Sequence, residues 1–435
     1  MKVVFASEYY HPWAPGGTAW SLELLARALI ARGHEVTVVT PNYGAAAREE
    51  VNGVPVVRFP FWRRLRPGAG LAPVRDHVNP LFHLLFARAL VSAARRAGAD
   101  VLHAQEKHAL VGTFLAGRWL RKPVFLSLRD FGLICPITTC LLRHTHVPSD
   151  CGSAKLQREC VPDFFGRYIR AGALRKLRIR CSLALLYLDA RLKGALVRRV
   201  RGVTAVSRSL LDIYGRAGRI RAERGHVVYN LPPPPAAAGF DRSRALADFG
   251  LPAHPLVLYV GKCSPGKGFP VFAEAARIVT ARMPGTCFVA VGEGPPEWFP
   301  RSAEVRLLGS RSHAEVGKLY ALADVVVHPA VWPEPFSRVP LEAAAFAKPV
   351  IGTRIGGTPE AVDDKSTGLL VERSDPEALA RAIEDLLTDP DLRLALGRRA
   401  AETVAAKFSD DRIVDELLRA YGPVSGEKRG GETRR

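Results

Sequence analysis

The segment Asp324-Val325-Val326-Val327-His328 is an apolar run, and it is soon followed by Glu334-Pro335-Phe336-Ser337-Arg338-Val339-Pro340-Leu341-Glu342. The run predicts a buried strand, while Ser337 and Pro340 mark the start of a helix, since Ser caps helices and Pro suits their first turn. A strand, a tight turn and a helix N-terminus leave unpaired N–H groups that attract anions. A capped helix of this kind is ordinary in α/β domains, but here Glu334 and Glu342 add a carboxylate on either side of the predicted anion site.

Short apolar strands alternate with helices along both halves of the chain. The predicted strands lie at 3–6, 35–39, 101–103, 124–127, 203–206 and 226–229, and then at 256–260, 287–291, 305–308, 325–328, 349–352 and 368–371. This alternation is typical of a parallel sheet that is covered by helices on both faces. Because 435 residues suit two domains, the predicted fold class is α/β, with two doubly wound Rossmann-like domains facing across a cleft.

The predicted boundaries follow from a proline-rich stretch between the two series of strands. Residues 232–239 read as a semi-rigid linker. They separate an N-terminal domain at 1–231 from a C-terminal domain at 240–421. The polar residues 422–435 are predicted to be a disordered tail.

Two further motifs follow the glutamate pair. Gly356-Gly357-Thr358-Pro359-Glu360 comes after the next strand, and Gly368-Leu369-Leu370-Val371 comes after that. In this order the motifs resemble the retaining glycosyltransferases of family four, also called glycosyl transferases group 1, over nearly the whole chain. The resemblance implies the GT-B fold and the transfer of a hexose from a nucleoside-diphosphate sugar to a glycan, a lipid-linked acceptor or another hydroxyl. The alternatives are a nucleotide-sugar epimerase of the same fold and a basic nucleic-acid-binding protein.

A loop with two lysines, Lys262 and Lys267, leaves the strand predicted at 256–260. Ammonium groups there could offset charge on a departing phosphate, although two solvated loop lysines are an equal alternative. The resembling family carries basic residues at these spacings, which implies catalytic roles for both lysines. The resemblance also places Gly292 and Arg311 beside the base of the nucleotide.

The resemblance implies different roles for the two glutamates. Glu334, the third predicted catalytic residue, would bind hydroxyls of the donor hexose, and Glu342 would bind the ribose. The diphosphate would lie against the backbone N–H groups of Ser337, Arg338 and Val339. The family usually has Gly where this chain has Ser337, so the local donor geometry is expected to differ.

The predicted acceptor side lies in the first half of the chain. Gly16 and Gly17 open a helix after the first strand, and in the family this loop closes near the donor phosphate and the acceptor. Gln105 stands where relatives often have His, and it cannot become cationic, so it is predicted to bind the acceptor without acting as a base. Arg129 and Asp130 end the next strand, where they could bind the acceptor or pair with each other.

The mechanism implied by the resemblance is front-face displacement. The departing diphosphate takes the proton of the acceptor hydroxyl, while the protein supplies positioning and charge stabilisation. No metal or cofactor is then required, and the nucleoside-diphosphate sugar is a substrate.

Four of the seven cysteines, Cys135, Cys140, Cys151 and Cys160, crowd a predicted insertion at 131–165. Thiolates can hold structural zinc, but close Cys-x-x-Cys pairs are missing, so a loop of reduced thiols is the alternative. In either case a long insertion at the end of a strand can shape an acceptor site.

The net charge of +20 is concentrated locally, since the stretch 164–202 carries eleven Arg and Lys residues against the single acid Asp189. This stretch could lie on an anionic membrane surface or form packed helices with a solvated basic face. Nucleic-acid binding is not expected, because no aromatic stacking platform or recognition motif accompanies the charge. Without a signal peptide or an uninterrupted apolar helix, the expected location is the cytoplasm, with peripheral attachment to the inner face of the membrane as an option.

Overall fold

A computed structural model describes residues 1–14, 16–67, 71–234, 240–294 and 304–423. Each half of the chain forms its own sheet with helices packed on it, which confirms the predicted α/β fold with two Rossmann-like domains. Residues 235–239 of the predicted linker and 424–435 of the predicted tail lie outside the described residues. The predicted domain boundaries therefore stay predictions.

The first sheet has eight strands in the order β3-β4-β2-β1-β5-β6-β7-β8. They are β1 (Lys2–Ala6), β2 (Glu35–Asn42), β3 (Arg48–Val51), β4 (Val54–Pro60), β5 (Val101–Ala104), β6 (Val124–Leu128), β7 (Gly202–Ala205) and β8 (Gly225–Val227). All neighbours are parallel except β3 and β4, an antiparallel hairpin that the sequence analysis missed. Its turn residues, Asn52 and Gly53, both have positive φ, which is the conformation that Asn-Gly favours in tight hairpins.

The second sheet has six parallel strands in the order β11-β10-β9-β12-β13-β14. They are β9 (Leu256–Val260), β10 (Cys287–Val291), β11 (Val305–Leu307), β12 (Val325–His328), β13 (Val350–Thr353) and β14 (Gly368–Val371). All six were predicted from apolar runs. The runs are continuous because the sheet separates two buried clusters: Val257 and Tyr259 of β9 pack on one side, and Leu256 and Leu258 pack on the other.

Sixteen α-helices lie within the described residues. They are α1 (Gly17–Ala31), α2 (Val74–His77), α3 (Pro80–Ala97), α4 (Lys107–Leu120), α5 (Ser153–Lys155), α6 (Val161–Tyr168), α7 (Ala173–Val197), α8 (Arg208–Arg216), α9 (Arg242–Asp248), α10 (Phe269–Arg282), α11 (His313–Leu322), α12 (Val339–Ala345), α13 (Thr358–Ala361), α14 (Pro376–Thr388), α15 (Pro390–Lys407) and α16 (Asp410–Tyr421). Asn79 caps α3, since its side chain accepts a hydrogen bond from the Leu81 N–H. In the described part of the chain, every helix is too short or too polar to cross a bilayer.

The last helix, α16, returns to the first sheet. It contacts α1, β7 and β8, and the Tyr421 hydroxyl lies 2.8 Å from Nδ1 of the buried His103 on β5. Arg32, which follows α1, also forms a 2.6 Å ion pair with Asp415. The chain therefore passes between the two sheets twice, once between β8 and α9 and once between α15 and α16.

Candidate active site

A cavity of about 420 Å³ opens where β9 and β12, the two central strands of the second sheet, end. The strand order reverses between these two strands, and such a point is where open α/β sheets bind ligands. Lys262 follows β9 and His328 ends β12, and both line the cavity. Gly16 and Gly17 of the first domain form the opposite wall.

An ion pair between Lys267 and Glu334 lies in this cavity. The Lys267 Nζ is 2.6 Å from Glu334 Oε2, and the indole N–H of Trp332 donates to the same oxygen at 2.7 Å. Glu334 is only 8% exposed, and burial by itself raises the pKa of its carboxyl. The positive charge of Lys267, with the interactions of His328 and Trp332, outweighs burial and holds the pKa below its ordinary value. Glu334 is therefore a carboxylate at neutral pH.

Two glycines hold the Glu334 turn in place. The N–H of Gly357 donates to the Glu334 carbonyl at 2.7 Å. A Cβ added to Gly356, whose φ is 62°, would lie 2.5 Å from that same carbonyl oxygen. The Gly356-Gly357 motif is thus required because the backbone of another segment passes directly against it.

Glu342 lies one turn inside α12. Its Oε2 accepts a 2.9 Å hydrogen bond from the Tyr320 hydroxyl, and its Oε1 accepts a 3.1 Å bond from Nε of Arg338. Arg338 also donates to Ser21 Oγ of α1 at 3.3 Å, so it joins the glutamate to the first domain. The Arg338 side chain would lie only 3.1 Å from a Cβ added at Gly17. The glycine therefore leaves room for the contact between Arg338 and Ser21.

Ser337 fits its position without strain. Its backbone does not adopt the left-handed conformation that favours glycine, and its Oγ accepts a 3.2 Å hydrogen bond from the Val339 N–H. The helix begins at Val339 with Arg338 as its N-cap residue, so the hydroxyl bonds the first N–H of α12 from one position before the N-cap, which was predicted to be Ser337. Ser337, Arg338 and Val339 all line the cavity.

Two predicted donor-binding residues, Gly292 and Arg311, do not line the cavity. A Cβ on Gly292, whose φ is 141°, would lie 1.9 Å from the Gly261 carbonyl oxygen. Gly292 therefore supports the loop that carries Lys262. Arg311 lies 4.0 Å from Glu315 in the first turn of α11. Their predicted contacts with a base stay predictions.

The predicted acceptor residues Arg129 and Asp130 do not form an ion pair with each other. The hypothesis that they pair was therefore wrong. Arg129 donates instead to Gln105 Oε1 at 2.8 Å and to Asn230 Oδ1 at 3.0 Å, while Asp130 accepts from the Gly132 N–H at 2.7 Å. Arg129 lines the cavity. Gln105 is fully buried beneath the cavity, where its side chain orients Arg129.

Two buried carboxyls were missed by the sequence analysis. Glu8 follows β1 and Glu106 follows β5, where the order of the first sheet reverses. The Glu8 N–H donates to Glu106 Oε1, and His77 Nδ1 lies 3.0 Å from Glu8 Oε1. Burial and mutual repulsion raise the pKa of Glu8 to about 8, and burial raises that of Glu106 to about 7. Glu8 and Glu106 become neighbours only through the strand order, so no local sequence motif predicts that they lie together.

Trp332 and His328 were not predicted as site residues, although His328 ends the apolar run at 324–328 and Trp332 lies two residues before Glu334. Trp332 precedes the Pro333-Glu334 step, and an aromatic residue so close to a predicted sugar-binding carboxylate was the available signal. His328 is 4% exposed. Burial lowers its pKa to about 4, so it faces the cavity as a neutral imidazole.

The four clustered cysteines are not arranged as the zinc site that was one of two hypotheses for this insertion. In the part of the chain that the structure describes, no three His, Cys, Asp or Glu side chains are placed to share a metal ion. Burial raises the pKa of Cys140 to about 12 and that of Cys160 to about 11, which disfavours the thiolates that zinc requires. Cys151 instead contacts the Tyr187 hydroxyl.

Comparison with known proteins agrees with this geometry. Residues 16–231 match the model of the glycosyl transferase 4-like domain, and residues 254–389 match that of the glycosyl transferases group 1. A D-inositol 3-phosphate glycosyltransferase of Segniliparus rotundus is 34% identical over 194 residues, which cover 42% of this chain and 43% of that protein. An alpha-D-kanosaminyltransferase of Streptomyces kanamyceticus is 29% identical over 243 residues, 52% of this chain and 62% of that protein. The matches thus span about half the length of these relatives.

Solved structures show the same fold over almost the whole chain. Sucrose-phosphate synthase from Thermosynechococcus elongatus superposes with a TM-score of 0.66 at 22% identity, covering 97% of this chain and 98% of that one. Anabaena HepE in complex with UDP-glucose gives 0.66 at 20% identity, covering 97% and 99%. Neither these structures nor the sequence relatives support the epimerase or the nucleic-acid-binding alternative. The chain belongs to the group 1 glycosyltransferases and has their two-domain GT-B fold.

Proposed function

We propose that this protein is a retaining hexosyltransferase. It transfers a hexose from a nucleoside-diphosphate sugar to the hydroxyl of a glycan, a lipid-linked molecule or another acceptor. The observation that carries the proposal is the Lys267–Glu334 ion pair, 2.6 Å long, in the cavity at the reversal of the second sheet. The presence of UDP-glucose in the HepE structure supports a nucleotide sugar as the donor.

In this proposal the second domain, 240–421, holds the donor. Lys262 and Lys267 neutralise the diphosphate together with the N–H groups at the start of α12. Glu334 binds hydroxyls of the hexose, and Glu342 binds the ribose. The donor does not require a metal, because ammonium groups and backbone N–H groups supply positive charge where the leaving group develops its negative charge.

The first domain, 1–231, presents the acceptor, with Arg129 held by Gln105 and Asn230 at the cleft. In a front-face displacement, the bond from the anomeric carbon to the diphosphate breaks while the acceptor oxygen bonds to the same face of that carbon. The acceptor proton passes to the departing phosphate oxygen. The configuration at the anomeric carbon is retained without a protein nucleophile.

A thermal-shift screen against nucleoside diphosphates and their sugars tests the donor assignment, because a ligand that binds the folded state raises its melting temperature. We expect one diphosphate family to stabilise the protein. Glu342→Ala should weaken binding of the nucleotide, and Glu334→Ala should remove discrimination between sugar-bearing and sugar-free ligands. NMR of the transfer product then reports its anomeric configuration. Wild-type behaviour of both variants, or an inverted product, contradicts the proposal.

We also propose that α7 attaches the protein to an anionic membrane surface. Five leucines of this helix, at i, i+3, i+11, i+14 and i+18, lie on one side and are 55–77% exposed: Leu174, Leu177, Leu185, Leu188 and Leu192. The opposite side packs on the domain through Leu183, Tyr187, Ala190 and Val197. A leucine stripe that points away from the protein body is unusual for a solvated surface.

The charge around this stripe indicates its partner. Arg175, Arg178 and Arg191 are exposed beside the leucines, and Asp189 is already paired with Lys193 at 2.9 Å. Leucines flanked by arginines suit the boundary between acyl chains and anionic headgroups. A membrane acceptor and a cytoplasmic nucleotide sugar would then meet at the inner face of the membrane.

Vesicle co-sedimentation tests this attachment, with neutral and anionic lipid at low and high salt. We expect binding to anionic vesicles that falls with salt and is lost in a Leu185→Ser, Leu188→Ser double variant. Leu394→Ser is the matched control, because Leu394 is 58% exposed on α15. Indifference to lipid charge overturns the proposal. The proposal is also overturned if the leucine variant changes only the mass of the protein in solution and not its binding to vesicles, since the leucine stripe would then join two copies of this chain.

A further inference from the structure

A second cavity, of about 350 Å³, lies beside the candidate active site and shares Lys262 and Lys267 with it. The predicted cysteine-containing insertion and the helices after it form one wall, and the loop at 264–267 forms another. Most of its large lining side chains are apolar: Ile137, Leu142, Phe164, Tyr168, Leu183 and Trp332. Pockets with such linings bind apolar groups of ligands.

Trp332 is the wall between the two cavities. Its ring lines the second cavity, and its indole N–H donates to Glu334 Oε2 at 2.7 Å in the first. The ring packs edge-on against Phe131 of the first domain, with centroids 5.7 Å apart. The Lys267 ammonium lies 5.7 Å from the ring centroid. One side chain therefore contacts both the predicted sugar-binding carboxylate and the neighbouring apolar space.

The second cavity requires both domains. Arg373 of the second domain donates to the carbonyl oxygens of Leu141 at 3.3 Å and Arg143 at 2.8 Å in the insertion. A Cβ on Gly266 would lie 3.2 Å from the Tyr168 hydroxyl and 3.8 Å from Leu142. These contacts close the cavity only when the insertion lies against the second domain.

We infer that this cavity is a subsite for an apolar group carried by the acceptor, and that Trp332 positions Glu334 while forming the wall of that subsite. The inference rests on the proposed function. The acceptor hydroxyl must approach the donor carbon next to the two lysines, and the second cavity opens at those lysines. Its apolar lining suits an alkyl or aryl group attached to the hydroxyl-bearing part of the acceptor, because apolar surface gains free energy when it leaves water.

Binding of three soluble glycosides tests the subsite: methyl, n-hexyl and 4-nitrophenyl β-D-glucoside, which share one sugar. Calorimetric titration of the whole wild-type chain should show at least roughly tenfold tighter binding of the hexyl or nitrophenyl compound than of the methyl compound. An alkyl preference indicates an acceptor with a lipid chain, and an aryl preference indicates an aromatic acceptor. Equal binding of all three overturns the inference.

Substitutions locate the preference. Leu142→Trp fills the cavity and should abolish the preference, while the affinity for the nucleoside diphosphate found by thermal shift stays within twofold. Ile137→Trp is a second filling variant if Leu142→Trp does not fold, as judged by circular dichroism. A preference that survives in the folded filling variant places the apolar site elsewhere and overturns the inference.

Trp332→Phe separates the two roles of the indole. It keeps a ring in the cavity, so the glycoside preference should remain. It removes the N–H, so the discrimination between nucleotide sugar and nucleotide should fall by about tenfold. Trp119→Phe, at a tryptophan that is 73% exposed, should change neither readout. Unchanged sugar discrimination in Trp332→Phe contradicts the positioning role.

Failure of the proposed function gives a different result. If no nucleoside diphosphate or nucleotide sugar binds the wild type, the donor assignment fails regardless of the glycosides. A glycoside preference in such a protein would overturn the acceptor role of the cavity. Nucleotide binding without any glycoside preference would overturn the subsite alone.

Discussion

The two sheets carry different chemistry at corresponding places. In the second sheet, the order reverses between β9 and β12, and the carboxylate found there, Glu334, is paired with Lys267. In the first sheet, the order reverses between β1 and β5, where the side chains of Glu8 and Glu106 lie, and the backbone N–H of Glu8 donates to the Glu106 carboxyl. One site holds its acid ionised, whereas the other raises the pKa of its acids towards and above neutrality.

The site in the second sheet stabilises an ionised carboxylate, whereas the site in the first sheet disfavours ionisation of its carboxyls. A buried carboxylate next to an ammonium group can meet a hexose as a ready hydrogen-bond acceptor. Burial disfavours ionisation of both Glu8 and Glu106, and the charge of Glu106 raises the pKa of Glu8 further. The Lys267–Glu334 site, which we propose holds the donor, is therefore preorganised electrostatically, while the first-domain pair is sensitive to pH. Four substitutions test this contrast.

The largest expected effect is at Glu334. Glu334→Gln removes the charge that pairs with Lys267, and we expect kcat/KM for sugar transfer to fall by about 10²–10³. Steady-state kinetics with the donor identified by thermal shift measure this loss. Glu372→Gln is the control, since Glu372 is 73% exposed. Transfer within threefold of wild type would mean that the paired charge has no part in the reaction.

Glu342→Ala should act on binding. Hydrogen bonds to charged groups contribute about 1.5–3 kcal/mol, so we expect Kd for the nucleoside diphosphate to rise by roughly ten- to a hundredfold. Tyr320→Phe removes only the hydroxyl that donates to Glu342 and should weaken binding less. Isothermal titration distinguishes the two variants. Equal effects would show that the fixed position of Glu342 matters as much as its presence.

The first-domain pair should appear in the pH dependence of stability. A carboxyl whose folded-state pKa is raised binds more protons in the folded than in the unfolded state, so stability falls as the pH rises from about 4.5 towards 8. The groups that face Glu8 are Glu106, His77, Lys107, Lys193 and Asp130. Glu8→Gln removes the ionisation, so its melting temperature should fall less across this window.

Calorimetric scans between pH 5.5 and 8.5 measure that change, which should amount to roughly 2–4 °C for each kcal/mol. Glu35→Gln is the control, at a side chain that is 65% exposed. A Glu8→Gln variant that loses stability with pH as steeply as wild type would contradict the raised pKa.

The smallest expected effect is at Ser337. Ser337→Gly removes the hydroxyl that accepts from the Val339 N–H, and a neutral hydrogen bond of this kind contributes only about 1 kcal/mol. We expect donor KM to change by less than about threefold, as measured by initial rates. A larger change would show that the hydroxyl contacts the donor directly.

The sequence predicted most of the fold, because each strand of the second sheet is a local apolar run. It did not predict the β3–β4 hairpin, although Asn52-Gly53 is a local signal for one. The packing of α16 on the first sheet could not be predicted from local sequence patterns. It depends on contacts such as Tyr421 with His103, which are more than 300 positions apart.

The same distinction applies to the site. The segment from Asp324 to Glu342 is contiguous, so its strand, turn and helix start could be predicted together. Glu8 and Glu106 become neighbours only through the order of the strands, and the two partners of Arg129, Gln105 and Asn230, come from two other segments. Side-chain pairing across strands depends on register and burial, which the spacing of residues in one chain does not encode.

The double passage of the chain between the sheets limits how the enzyme can open. A single tether would let one domain twist freely against the other. Two covalent connections, before α9 and before α16, restrict that twist. A motion that parts the domains would separate Trp332 from Phe131 and Arg338 from Ser21 together, because each pair joins the two domains, so one opening step would release the walls of both cavities.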